Sequence, residues 1–125
     1  MDLQQNKQSA IDFYRMAYLG HPEKAVEKYV GNQYIQHNPD VKDGKQGFID
    51  YFNRMQDEYP EKTIEFVRST AEGDLVALHT LQKWPGDVKY VTMDFFRFDL
   101  NGRIVEHWDS IQEVPDEMKH DNGMV

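Results

Sequence analysis

Apolar residues recur at helical spacing through the first half of the chain and in short β-rich runs through the second. Ala10, Phe13, Tyr14, Ala17 and Tyr18 mark one face of an amphipathic helix from about Leu3 to Leu19, closed by Gly20. His21-Pro22-Glu23 starts a second, shorter helix with Ala25, Val26, Tyr29 and Val30 on its apolar side, and Gly31-Asn32 stops it. The stretch from Tyr34 to Asp40 reads as irregular. Phe48, Ile49, Tyr51, Phe52 and Met55 then predict a third helix from about Lys45 to Tyr59, ended by Pro60.

From Thr63 the period changes. β-Branched and aromatic residues fall between the turn signals Gly73-Asp74, Pro85-Gly86 and Asn101-Gly102. Four strands are predicted, Thr63–Ala71, Leu75–Trp84, Tyr90–Leu100 and Arg103–Glu113, joined as antiparallel hairpins. Helices followed by strands give an α+β fold: three N-terminal helices packed on a strongly curved, mainly antiparallel sheet. Residues 1–125 read as one domain, with Pro115–Val125 as a loose tail lacking apolar periodicity.

The last hairpin carries the chemistry. Asn101-Gly102 between two β-rich runs predicts a two-residue type I′ turn. Leu100 then faces Arg103, Phe98 faces Val105, Phe96 faces His107 and Asp94 faces Asp109, all on one side of the sheet. Met93, Phe95, Arg97, Ile104, Glu106 and Trp108 fall on the other. A face that mixes buried rings with two carboxylates and an imidazole is the pattern of a pocket wall. Opposed carboxylates repel, and in a partly dry site that raises the pKa of at least one, as acid–base work requires. The competing reading puts both aspartates on a solvent face.

Two further histidines are candidates. His79 shares a strand face with Ala77 and Leu81 and enters the same cavity if that face is the inner one; otherwise it is a hydrogen-bonded core residue. His37 sits in the irregular segment and is either aimed inward by the loop or anchors it to backbone.

Composition narrows the function classes. Aromatic residues make up 13% of the 125-residue chain, so rings such as Phe13, Tyr34, Phe52, Phe96 and Phe98 are available to line a pocket for a hydrophobic small molecule. A net charge of −8, with no basic stripe, argues against nucleic acid and anionic membranes as partners. No uncharged run is long enough to span a bilayer, and the N-terminus has neither the basic flank nor the apolar run of a secretory signal. With no cysteine there is no disulfide framework and no thiol nucleophile, which fits a cytoplasmic protein. His107-x-Asp109 alone is too weak a spacing to predict a metal. Phosphate-loop, dinucleotide and Gly-x-Ser-x-Gly signatures are absent, so neither metal nor organic cofactor is expected.

The order of elements, the segment Tyr34-Ile35-Gln36-His37-Asn38-Pro39 followed by Gly44 to Phe48, and the run from Asp94 to Asp109 together resemble the SnoaL-like polyketide cyclases, within the superfamily named after nuclear transport factor two. The resemblance spans about Leu3 to Val114. It implies a cone, a bent mixed sheet wrapped by three helices and open at one end. It also implies an acid–base aspartate assisted by histidine in cofactor-free aldol closure, with Asp109 and His107 matching that position best and Asp94 and His37 matching polar cavity positions. Double-bond isomerisation is a variant of the same proton chemistry. A homodimer through the outer sheet face is implied as well. A module that binds an apolar metabolite without transforming it is the alternative from a different class.

Overall fold

The computed structural model describes residues 2–125. The element order is α1 (Leu3–Tyr18), α2 (Pro22–Tyr29), β1 (Val30–Gln36), α3 (Gly44–Glu58), β2 (Thr63–Glu72), β3 (Leu75–Trp84), β4 (Val88–Phe98) and β5 (Ile104–Glu113). Asp2 caps α1 by accepting the Gln5 N–H, and Pro22 opens α2, where its missing N–H costs nothing. The segment 115–125 contains neither helix nor strand.

The five strands form one curved mixed sheet in the order β1-β5-β4-β3-β2. Three of its four pairings are antiparallel; β1 joins β5 in parallel at the edge. This corrects the sequence reading, which ran α2 on through Val30 and left Tyr34–Asp40 irregular. Val30–Gln36 is a fifth strand, and its formation depends on a partner more than sixty residues away, a pairing invisible to local pattern.

Alternation along β3 and β4 sets the inner face: Val76, Leu78, Thr80 and Gln82 on one strand, Asp94, Phe96 and Phe98 on the other, all buried. α1 packs on β2 and β3, and α3 rests on α2 and β1, so the helices cover this face. Phe13 knits the layers, stacking on Phe48 at 4.8 Å and meeting the Phe96 ring edge-on at 5.9 Å. Each such aromatic pair contributes about 0.5–1.5 kcal/mol beyond area burial.

The β4–β5 turn is not type I′. Asn101 lacks the positive φ that this turn demands; Gly102 alone takes it, at 74°. The Gly102 N–H closes on the Asp99 carbonyl, the Asp99 N–H bonds the Arg103 carbonyl, and the Asp99 side chain accepts from the N–H groups of Asn101 and Arg103. This is a three-residue loop with a glycine bulge. Phe98 therefore pairs with Ile104 instead of Val105, and Leu100 leaves the sheet fully exposed. Ile104, expected outside, is buried together with Val105. A second irregularity leaves Val105 unpaired, and from Arg97 onward the expected register holds, with Phe96 opposite His107 and Asp94 opposite Asp109.

Candidate active site

Between the helices and the inner face lies a cavity of about 380 Å³. From α1 come Phe13, Tyr14 and Tyr18, and from α3 Phe48, Tyr51, Phe52 and Met55. The sheet contributes Tyr34, Gln82, Trp84 and Phe96, together with a polar corner made by Gln36, Asn38, His107 and Asp109.

That corner is built by register. Gln36 on β1 is paired with His107 on β5, and Asp109 follows two residues on, so their side chains share the inner face. The Gln36 Oε1 accepts the backbone N–H groups of His37 (3.1 Å) and Asn38 (3.0 Å). Those donors fix the amide orientation, so the His107 Nδ1 at 2.8 Å must also donate to Oε1. The His107 Nε2 lies 2.8 Å from Asp94 Oδ2, and the other Asp94 oxygen accepts from Thr92 Oγ1 at 2.6 Å. A lone pair facing a carboxylate at 2.8 Å would repel, so one proton sits between Nε2 and Oδ2.

Asp109 is the other carboxylate. Its Oδ2 accepts from Asn38 Nδ2 at 2.9 Å and lies 3.8 Å from His107 Nε2. The Asn38 amide is itself oriented, because its Oδ1 accepts the Asp40 N–H. Burial pushes the Asp109 carboxyl above the usual carboxylate range; His107 and Asn38 offset part of this, while Asp94 and Asp40 add to it. The phenols of Tyr14 and Tyr34 are driven well above their ordinary value, first by burial and then by Asp94 and Asp109, so both stay protonated donors. The Tyr34 hydroxyl, in a residue 3% exposed, has no hydrogen-bond partner in the protein.

Asp94, His107 and Asp109 could each offer one atom to a cation, all within 4.8 Å of one another. The contacts among them and with Gln36, Thr92 and Asn38 are those of a closed hydrogen-bond network, in which both His107 nitrogens are already engaged. The donor set fits proton chemistry better than metal ligation.

The profile of the SnoaL-like domain matches residues 10–107. The chain belongs to the SnoaL-like family. TsrD from Streptomyces laurentii has the same fold, with a TM-score of 0.75 at 18% identity over 89% of this chain and 90% of TsrD. A Bacillus cereus protein provisionally described as a polyketide cyclase gives 0.75 at 17% identity, over 86% of this chain and 74% of that one. IdmH from Streptomyces antibioticus, with the same provisional description, gives 0.71 at 18% identity over 86% and 91%. Likeness at such identities establishes the fold alone. No curated protein matches the sequence.

Within this SnoaL-like cone, Asp109, His107, Tyr34, Phe13, Phe52 and Phe96 all line the cavity, and Asp94 is buried directly behind His107. Phe98 is buried in the core but does not line it. His37 and His79 correct the sequence reading. Because β1 alternates, Tyr34 and Gln36 turn inward and His37 outward, where its ring stacks on Trp108 at 4.9 Å and its Nε2 pairs with Glu106 at 2.7 Å. That hydrogen bond is the main cause holding the Glu106 carboxyl below its usual range, with Arg97 adding to it. His79 faces away from the buried set Val76, Leu78, Thr80 and Gln82, against Arg68 on β2. Gln36, Asn38, Tyr14 and Gln82 were missed as site residues. Reading 34–38 as a strand would have supplied Gln36 and Asn38, since both share the parity of Tyr34.

Proposed function

We propose that this chain is a cofactor-independent acid–base enzyme that removes a proton next to a carbonyl of a hydrophobic small molecule, as aldol cyclisation and double-bond isomerisation both require. Asp109 is the base. The observation that carries this reading is a buried carboxylate with a raised pKa, bonded by the protein at one oxygen, on the wall of an aromatic cavity. His107, locked by Gln36 and Asp94, presents a fixed polar edge beside it, and the Tyr34 O–H supplies an unspent donor for a developing enolate oxygen.

The test is exchange of α-protons of aromatic ketones in D2O, followed by NMR. Wild-type protein is expected to accelerate exchange, and Asp109→Asn to lose on the order of 100-fold or more of that rate, the usual worth of a positioned base. Full activity in Asp109→Asn would overturn the assignment. Binding of the ketones without any acceleration by wild type would favour the non-catalytic module.

A homodimer through the outer face of the sheet is part of the same proposal, supported by Met93 and Phe95, which stand 57% and 47% exposed side by side with the neighbouring strands. Light scattering at micromolar concentration should give twice the 14.8 kDa chain mass. A monomer there, or Phe95→Glu leaving a dimer unaltered, counts against this interface.

A further inference from the structure

The protons and charges of the cavity do not balance. His107 lies between Asp94, at 2.8 Å, and Asp109, at 3.8 Å, and one imidazole offsets no more than one carboxylate. Asp109 accepts from the Asn38 amide and lies 3.8 Å from His107 Nε2, and Asp40, which also lines the cavity, forms no ion pair among the described residues. No lysine or arginine side chain lines the cavity. Two cations come near the walls without entering: Arg54 lies over the Tyr51 ring at 5.6 Å, and Lys62 lies over Tyr18 at 4.8 Å, bonded to Gln56.

The same end of the cavity is rich in π-faces. Tyr51, Tyr90, Asp40 and Asp109 all line it; burial and Asp109 push the Tyr51 phenol up, Arg54 offsets part of this, and Asp40 and Tyr90 add to it. An organic cation there would meet two carboxylates and the negative faces of two rings in a partly desolvated setting. An anion would meet repulsion. Independently, the Tyr34 hydroxyl makes no close hydrogen bond in the protein, and a ligand that offers an acceptor would satisfy it.

We infer that the cavity takes an organic amine, bound as its ammonium ion with the charge toward Asp40 and Asp109 and the apolar body among the rings of α1 and α3. This rests on reading the cavity as the ligand site of the proposed enzyme and not on the chemistry done there. It narrows the substrate class to compounds that carry a basic nitrogen beside their carbonyl or hydroxyl oxygen.

The experiment is calorimetric titration of the whole protein at neutral pH with three probes of one shape: 1-naphthylmethylamine, 1-naphthalenemethanol and 1-naphthoate. The amine should bind at least about tenfold more tightly than the alcohol, the worth of a desolvated cation on rings and carboxylates, with the carboxylate weakest. Asp40→Asn and Asp109→Asn should each shrink the ratio of amine to alcohol affinity. Asp40 is exposed, so Asp40→Asn keeps the test open should Asp109→Asn not fold. Equal binding of amine and alcohol, preference for the carboxylate, no binding of the amine, or a ratio that neither variant moves would overturn the inference. Loss of ketone exchange in Asp109→Asn alongside equal amine and alcohol affinities would leave the catalytic reading standing and remove this one.

Discussion

Gln36 shows how much one uncharged side chain can decide. A single oxygen takes three donors, two from backbone and one from His107, and thereby sets which imidazole nitrogen faces Asp94. Gln36→Leu keeps the approximate volume and removes the acceptor of the Asn38 N–H and of His107 Nδ1, while the His37 N–H keeps the His107 carbonyl. It should destabilise the protein by about 1–3 kcal/mol, the cost of leaving buried polar groups unmade, measured by urea denaturation. It should also release the His107 tautomer, visible in the ring nitrogen shifts by NMR. An unchanged His107 spectrum would mean that Asp94 alone holds the ring. Gln36 carries no charge and so has no signal of its own in the sequence; its neighbour His37 points away from the cavity, and parity chose between them.

At the scale of elements, the site depends on how the β1–α3 connection is pinned. That connection carries Asn38, Asp40 and Val41 to the cavity wall, and it closes against the first turn of α3 at Gly47. A Cβ on Gly47 would stand 2.0 Å from the Lys42 carbonyl oxygen, which is backbone and has no side-chain freedom to yield. Gly47→Ala should therefore displace the connection, weakening probe binding and slowing ketone exchange, while far-UV circular dichroism stays near wild type. Gly102 is a useful contrast: it has a positive φ, but its Cβ would meet only Asn6 Oδ1 at 3.8 Å. Gly102→Ala is expected to cost about 1–2 kcal/mol of backbone strain and to leave the cavity chemistry intact. A Gly47→Ala protein with unaltered binding would show that the connection is free to shift without consequence. The helices and β2 to β5 were legible because their signals are local. β1 was not, since its ladder is supplied by β5.

For the whole molecule, the buried carboxylate makes stability depend on pH in a direction opposite to that of an ion-paired one. Asp109 has its pKa raised by folding, so the native state holds that proton more tightly than the unfolded chain does. Its contribution is present below the unfolded-state pKa and is lost as pH rises through the raised native value. Glu106, held low chiefly by His37, contributes in the other sense: its stabilisation is lost as pH falls through its lowered value. Asp109→Asn should accordingly gain stability relative to wild type as pH moves from 4 to 7 in parallel urea denaturation curves. A difference that stays constant across that range would mean the carboxyl titrates as it does in water.

The sequence by itself determined the order and type of most elements, the α+β class, the family, and the opposition of Asp94 to Asp109 and Phe96 to His107, because strand alternation and a hairpin close in sequence fix such things locally. Even a misjudged turn left that register intact, since a second irregularity, which leaves Val105 unpaired between the Phe98–Ile104 and Arg97–Glu106 pairs, cancelled the shift. Tertiary structure alone decided which side of β1 faces in, that Gln36 and Asn38 and not His37 complete the corner, that His79 lies outside, and that the two carboxylates end up unequal. Those outcomes turn on a parallel pairing between distant segments and on how deeply each group is removed from water, and neither quantity is written in the neighbourhood of any one residue.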